Sequence, residues 1–109
     1  MLYGKQNVID TKLQAVQAFI RAIAKAEAFI QQNPAQAAVL MAKYLKLGND
    51  MKTTNTVFSA MKPVLAQTPQ INQQGYDAAN QFHVKAGLIA IALPYNDLVA
   101  ADTINKALA

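Results

Sequence analysis

The sequence predicts a mainly α chain of four to five helices, and three observations carry that expectation. Apolar residues recur at helical spacing over residues 10–32. Asn33-Pro34 then reads as one helix ending and the next beginning without slack. Third, apolar residues make up 53% of the 109, much of that fraction alanine, which together with Gln, Leu and Lys favours helix.

The first helix is expected from about Asp10, as N-cap, to Gln32. Leu13, Val16, Ile20, Ile23 and Ile30 form its stripe, widened by Phe19 and Ala26, while Gln14, Gln17, Arg21 and Lys25 take the other side. About 33 Å of helix with so broad an apolar face must pack against something. Asn33 suits an N-cap, Pro34 suits the first helical position because it has no amide hydrogen to leave unpaired, and Gln36 stands at the capping-box position. Loss of that cap would cost about 0.5–2 kcal/mol. The second helix runs to about Lys46 with Ala37, Leu40, Met41, Tyr44 and Leu45 inward, and Gly48 supplies its left-handed terminus.

A weaker third helix spans about Asp50 to Lys62. Thr53, Thr54 and Thr56 lower its propensity, Val57, Phe58 and Met61 give it an apolar patch, and Pro63 stops it. Residues 63–69 connect to a fourth helix, from Gln70 or Asn72 to Lys85, with Ile71, Ala78, Ala79 and Phe82 inward and Gly87 as terminator. Leu88-Ile89-Ala90-Ile91-Ala92-Leu93 is too short to reveal a period and is compatible with a short buried strand. Pro94 and Asn96 make a turn, and Asp102 to Leu108 is a last short helix or frayed end. The expected organisation is a single helical unit over 1–109, a partial domain. It divides into a remnant of an upstream element at 1–9, a helical body at 10–85 and a C-terminal extension at 86–109.

Length and charge bound the function. A chain of 109 residues is at most one domain and buries about 65% of its unfolded surface. The net charge of +4 comes from scattered lysines without aromatic interleaving, which reads as a solvated surface and not a nucleic-acid patch. No cysteine is present, so disulfides and thiolate zinc sites are excluded. Residues 1–5 lack the apolar core of a signal peptide, and the longest uncharged apolar run, 86–95, is too short to span a bilayer.

The inventory of reactive groups offers no enzyme. His83 is the lone histidine, with no motif to set a carboxylate or nucleophile beside it, and reads as an ordinary helix residue. Ser59 lies outside any Gly-x-Ser-x-Gly setting. Gly4, Gly48, Gly75 and Gly87 are too dispersed for a phosphate loop, and the acidic residues form no Asp-x-Asp calcium pattern. No catalytic residue, metal ligand or cofactor is expected. Glu27 is the one polar residue in the apolar arc of the first helix. One reading is a buried carboxylate facing a ligand or partner; the favoured one is a partly buried side chain bonded to a neighbouring helix end, Tyr44 or Lys46, because an unpaired buried carboxylate is costly.

Three pieces in series resemble one family. Phe29-Ile30-Gln31-Gln32-Asn33-Pro34-Ala35-Gln36-Ala37-Ala38, with Ala42-Lys43-Tyr44-Leu45 after it, is similar to the helix break near the C-terminal end of the substrate-binding proteins of ABC importers for nitrate, sulfonates, taurine and thiamine precursors. Phe82-His83-Val84-Lys85-Ala86-Gly87-Leu88-Ile89 resembles the late helix and exit of that family, and Leu93-Pro94-Tyr95-Asn96-Asp97-Leu98-Val99 the turn before its final helix. The resemblance runs from about Leu13 to Leu108. It implies the helical C-terminal third of a type II periplasmic binding protein, α/β at full length, with its ligand in a cleft between lobes. It further implies a small anionic or heterocyclic ligand, a permease partner, and a periplasmic or extracellular, lipoprotein-like location for the full-length protein. The residues that usually hold the ligand precede this segment, so none is assigned here. The other reading is a self-contained helical protein–protein interaction module without ligand. In either case the uncovered stripe on the first helix is expected to drive self-association, as a symmetric dimer or by helix exchange.

Overall fold

A computed structural model describes residues 2–109; Met1, the first residue of the 1–9 segment, lies outside them. The described residues are α-helical, without strands. Seven α-helices and one 3₁₀ turn follow in order: α1 (Gln6–Thr11), α2 (Leu13–Gln32), α3 (Pro34–Tyr44), α4 (Met51–Met61), the turn Lys62–Val64, α5 (Gln73–Lys85), α6 (Tyr95–Leu98) and α7 (Ala101–Leu108). They group into two compact units, one from the segments up to Arg21 and from Pro69, the other from Ala22–Thr68.

The start of the chain differs from expectation. Asp10 does not cap the long helix; it sits inside α1, where its carboxylate accepts from Gln6 Nε2 at 2.8 Å. Thr11 Oγ1 donates to the Asn7 carbonyl at 2.6 Å, a back-bond that competes with the regular ladder. The helix stops at Lys12 (φ −127°, ψ 35°). The Lys12 carbonyl then accepts from the Val16 amide at 3.0 Å, so α2 starts after a one-residue break.

In the unit 22–68 the core is small. Ala37, Ala38 and Phe58 are buried, with Phe29, Ile30 and Met41 packed against them. This corrects the expected inward face of α3. Leu40, Tyr44 and Leu45 are exposed, and Ala37, Ala38 and Ala42 lie inside. The helix approaches its neighbours through its smallest side chains, which permits close packing but leaves the larger ones outside. Asn33 occupies the N-cap position of α3 without a side-chain capping bond, contrary to expectation, at φ −129° and ψ 58°. Pro34 supplies no amide there, and the Asn33 carbonyl accepts from Ala37 at 2.9 Å.

The end of α3 is also unlike the reading. Lys46, not Gly48, takes the left-handed C′ position, at φ 57°. Leu47 N–H donates to the Ala42 carbonyl at 2.9 Å and Lys46 N–H to Lys43 at 3.3 Å, the two bonds of a Schellman motif. Gly48 (φ 63°) takes a second left-handed step beyond it. Asp50 then caps α4, accepting from Thr53 N at 3.0 Å and from Thr53 Oγ1 at 2.6 Å. Thr54 is completely buried, and its hydroxyl donates to the Asp50 carbonyl at 2.8 Å, so its polar group is satisfied inside.

In the other unit, Ile20, Val99 and Ala107 are buried. Asn72 caps α5, accepting from Gly75 N at 2.9 Å. At the far end Leu88 N–H to His83 (2.9 Å) and Gly87 N–H to Val84 (3.0 Å) form a second Schellman motif, with Gly87 at φ 71°. The half-buried face of α5 is Tyr76, Asn80 and Val84, whereas Ala78, Ala79 and Phe82 are exposed, which corrects the expected inward set. Tyr76 sets this orientation. Its hydroxyl donates to the Leu93 carbonyl at 3.0 Å, and its ring meets Tyr95 edge-on at 5.4 Å. Residues 88–93 are not a buried strand. They run as bends and coil with Leu88 and Ile91 largely exposed, because nothing alongside them offers a strand to pair with.

Candidate functional site

An open groove lies in the first unit, where α1 and the start of α2 face α6 and α7. Asp10, Leu13, Asn96, Asp97, Val99 and Thr103 are among the residues around it, and its volume is about 480 Å³. Its polar groups are two carboxylates, amides and a hydroxyl, and one carboxylate, Asp10, already accepts from Gln6. A general acid or base needs a perturbed proton affinity and a reacting partner in reach. This groove supplies neither a nucleophile paired with a base nor a cationic side chain to receive an anion.

Beside it, Tyr76 and Tyr95 form a clasp that the sequence gives no signal for. Tyr95 Oη donates to the Ile71 carbonyl at 2.7 Å, while Tyr76 Oη reaches the Leu93 carbonyl and, at 3.4 Å, that of Pro94. Both hydroxyls are committed to backbone oxygens. The clasp fixes the chain on either side of Pro94 and has no free group to offer a ligand.

The residues singled out from sequence fall into ordinary settings. His83 lies on α5 with its ring edge-on to Phe82 at 6.0 Å, and Ser59 is exposed on α4. Among the described residues no three of His, Asp and Glu converge to hold a metal ion, and no helix is long and apolar enough to cross a membrane.

Glu27 is half-buried, as expected, but its anticipated partner is missing. Its Oε2 is shielded from solvent and accepts no hydrogen bond, and Tyr44, proposed for that role, is 86% exposed. Loss of hydration raises the proton affinity of its carboxyl above that of an ordinary glutamate. Asp50 shows the opposite behaviour. The side-chain bond from Thr53, reinforced by the Thr53 amide, holds its carboxylate below the usual range.

No protein-family model, curated protein or solved structure matches this chain.

Proposed function

We propose that this chain is the helical C-terminal portion of a solute-binding component of an ABC importer, serving a small anionic or heterocyclic nutrient such as a sulfonate, nitrate or a thiamine precursor. The observation that carries the reading is the coincidence of the resemblance with element boundaries. Asn33-Pro34 separates α2 from α3, Gly87 ends α5, and Pro94 opens the short α6 before the final helix. The exposed faces of α3 and α5 fit helices that are completed by other polypeptide. In this reading the chain is non-catalytic, takes no cofactor, and works outside the cytoplasmic membrane with a permease. The ligand is held by residues outside this segment.

Isothermal titration of the gene product carrying this chain, against taurine, an alkanesulfonate, nitrate and a thiamine precursor, tests it. Saturable one-to-one binding of one of them is expected. Heats equal to dilution for all four refute the reading. The second reading, a helical protein–protein interaction module without ligand, draws support from the outward side of α3, where Leu40 is 57% and Tyr44 86% exposed.

A further inference from the structure

Little in the local sequence explains why α1 and α2 are two helices and not one. Sharp kinks mark proline, Gly or Ser pairs and π-bulges, yet the residue at the break is Lys12, a good helix former. The Thr11 back-bond to Asn7 loosens the ladder but ends no helix by itself. The hydrogen bonds on either side of the break are already in step. Lys12 N–H donates to the Val8 carbonyl at 2.9 Å and Val16 N–H to the Lys12 carbonyl at 3.0 Å, both at the four-residue spacing of an uninterrupted helix. A continuous helix would add three more, from the Leu13, Gln14 and Ala15 amides to the Ile9, Asp10 and Thr11 carbonyls. Turning Lys12 from φ −127° and ψ 35° to helical values, a change of about 65° and 75°, brings all three into place and breaks neither flanking bond.

The bent form is held by little. No residue of α1 is fully buried, and only Ile9 is half-buried. The side-chain hydrogen bonds of α1 stay within it, Gln6 to Asp10 and Thr11 to Asn7, and among the described residues none reaches α6 or α7. Yet α1 forms one wall of the groove, with Gln6, Ile9 and Asp10 on one side and Asn96, Leu98 and Thr103 on the other. We infer that α1 is a hinged flap over this groove, with Lys12 as the hinge and two discrete positions. In the bent position Ile9 is packed and the groove is formed; in the straight one α1 continues α2 and the groove is open. Packing of Ile9 favours the first and three backbone bonds favour the second, so the two compete. An occupant of the groove that touches α1 has contacts in the bent position alone and therefore closes the flap. The hinge does not rest on the transport reading, which places its ligand outside this segment.

The chain has no cysteine, so nitroxides attached through Asn7→Cys on α1 and Lys106→Cys on α7, both exposed positions, report the motion by double electron–electron resonance. A longer distance beside the short one is expected, in the otherwise wild-type chain or brought out by Ile9→Ala, which removes the packing of the flap. Lys12→Gly should cut the long-to-short ratio about three- to fivefold, because glycine is disfavoured only where residue 12 is helical. Gln14→Pro should abolish the longer distance. Its amide is among those the first turn of α2 leaves unpaired, whereas in a continuous helix the ring would meet the Asp10 carbonyl. Circular dichroism checks that each variant keeps its helices. A single short distance in both the wild-type background and Ile9→Ala overturns the hinge. So does a broad longer population that survives Gln14→Pro, which is α1 melting and not swinging.

Discussion

The two Schellman motifs set up a controlled comparison, because one places Gly87 and the other Lys46 in the same left-handed C′ position. For an L-residue that conformation costs about 1–2 kcal/mol. Glycine avoids the cost but loses about 0.4–1 kcal/mol through its freer unfolded chain. Lys46 is exposed and its backbone bonds are those of the motif itself, so Lys46→Gly removes strain and no packing. Net stabilisation of about 0.5–1 kcal/mol should follow, raising the midpoint by about 3–5 °C. Gly87→Ala imports the same strain and should lower stability by a similar amount; space is not the obstacle, since an added Cβ there meets nothing within 4 Å. Thermal and urea unfolding by far-UV circular dichroism reads both. If Lys46→Gly leaves the midpoint unchanged or lowers it, the left-handed assignment at Lys46, or the claim that it is strained, is wrong.

Asn33→Ala should be close to neutral in urea unfolding, because Asn33 makes no side-chain capping bond, whereas Asn72→Ala should cost about 0.5–2 kcal/mol by removing the bond to Gly75. Glu27→Gln should stabilise the chain increasingly as pH rises above 4.5. The folded carboxyl binds its proton more tightly than the unfolded one, so the wild type loses stability from the unfolded value upward; a pH-independent difference in midpoint would contradict this. Asp50→Ala should behave in the opposite sense. The depressed folded value stabilises the wild type above 3.8, and its advantage should vanish as pH falls through the folded value; parallel acid-unfolding curves would exclude the Thr53 bonds as its source. Tyr76→Phe should cost about 0.5–1.5 kcal/mol, measured the same way, through the loss of its bond to Leu93.

Helix existence was legible because punctuation and period act locally. The boundary at Asn33-Pro34, the helix start near Asp50, Asn72 as one of two starts offered for the next helix, and the terminator at Gly87 all stand where turn chemistry sets them, and the structure adds that Asp50 and Asn72 cap. What the sequence hid was orientation. Leu40 and Tyr44 are the obvious inward candidates on α3 by hydrophobicity, yet Ala37, Ala38 and Ala42 are buried, because close helix approach here selects small side chains. Phe82 failed for a related reason: the hydroxyl of Tyr76, a long-range contact with no local signature, decides which face of α5 turns in. Lys46 was overlooked because a glycine two residues on is the stronger prior for a left-handed turn. Thr54 was read as a liability, although its bond to the Asp50 carbonyl removes the polar penalty and lets it be buried. The candidate groove could not be anticipated at all, since Asp10 and Asp97 meet around it from opposite ends of the chain.

The discontinuity of the first unit bears on synthesis. Its segment up to Arg21 leaves the ribosome before the segment from Pro69 that completes it. At translation speed the interval is on the order of seconds, far longer than a helical hairpin needs to form. The intervening α3–α4 pair can therefore fold while Ile20, buried in the finished unit, still waits for α5 to α7. During that interval Phe29 and Ile30 of α2 are covered by the α3–α4 pair, but the start of the helix around Ile20 lacks the cover of α5 to α7, the kind of segment a chaperone binds.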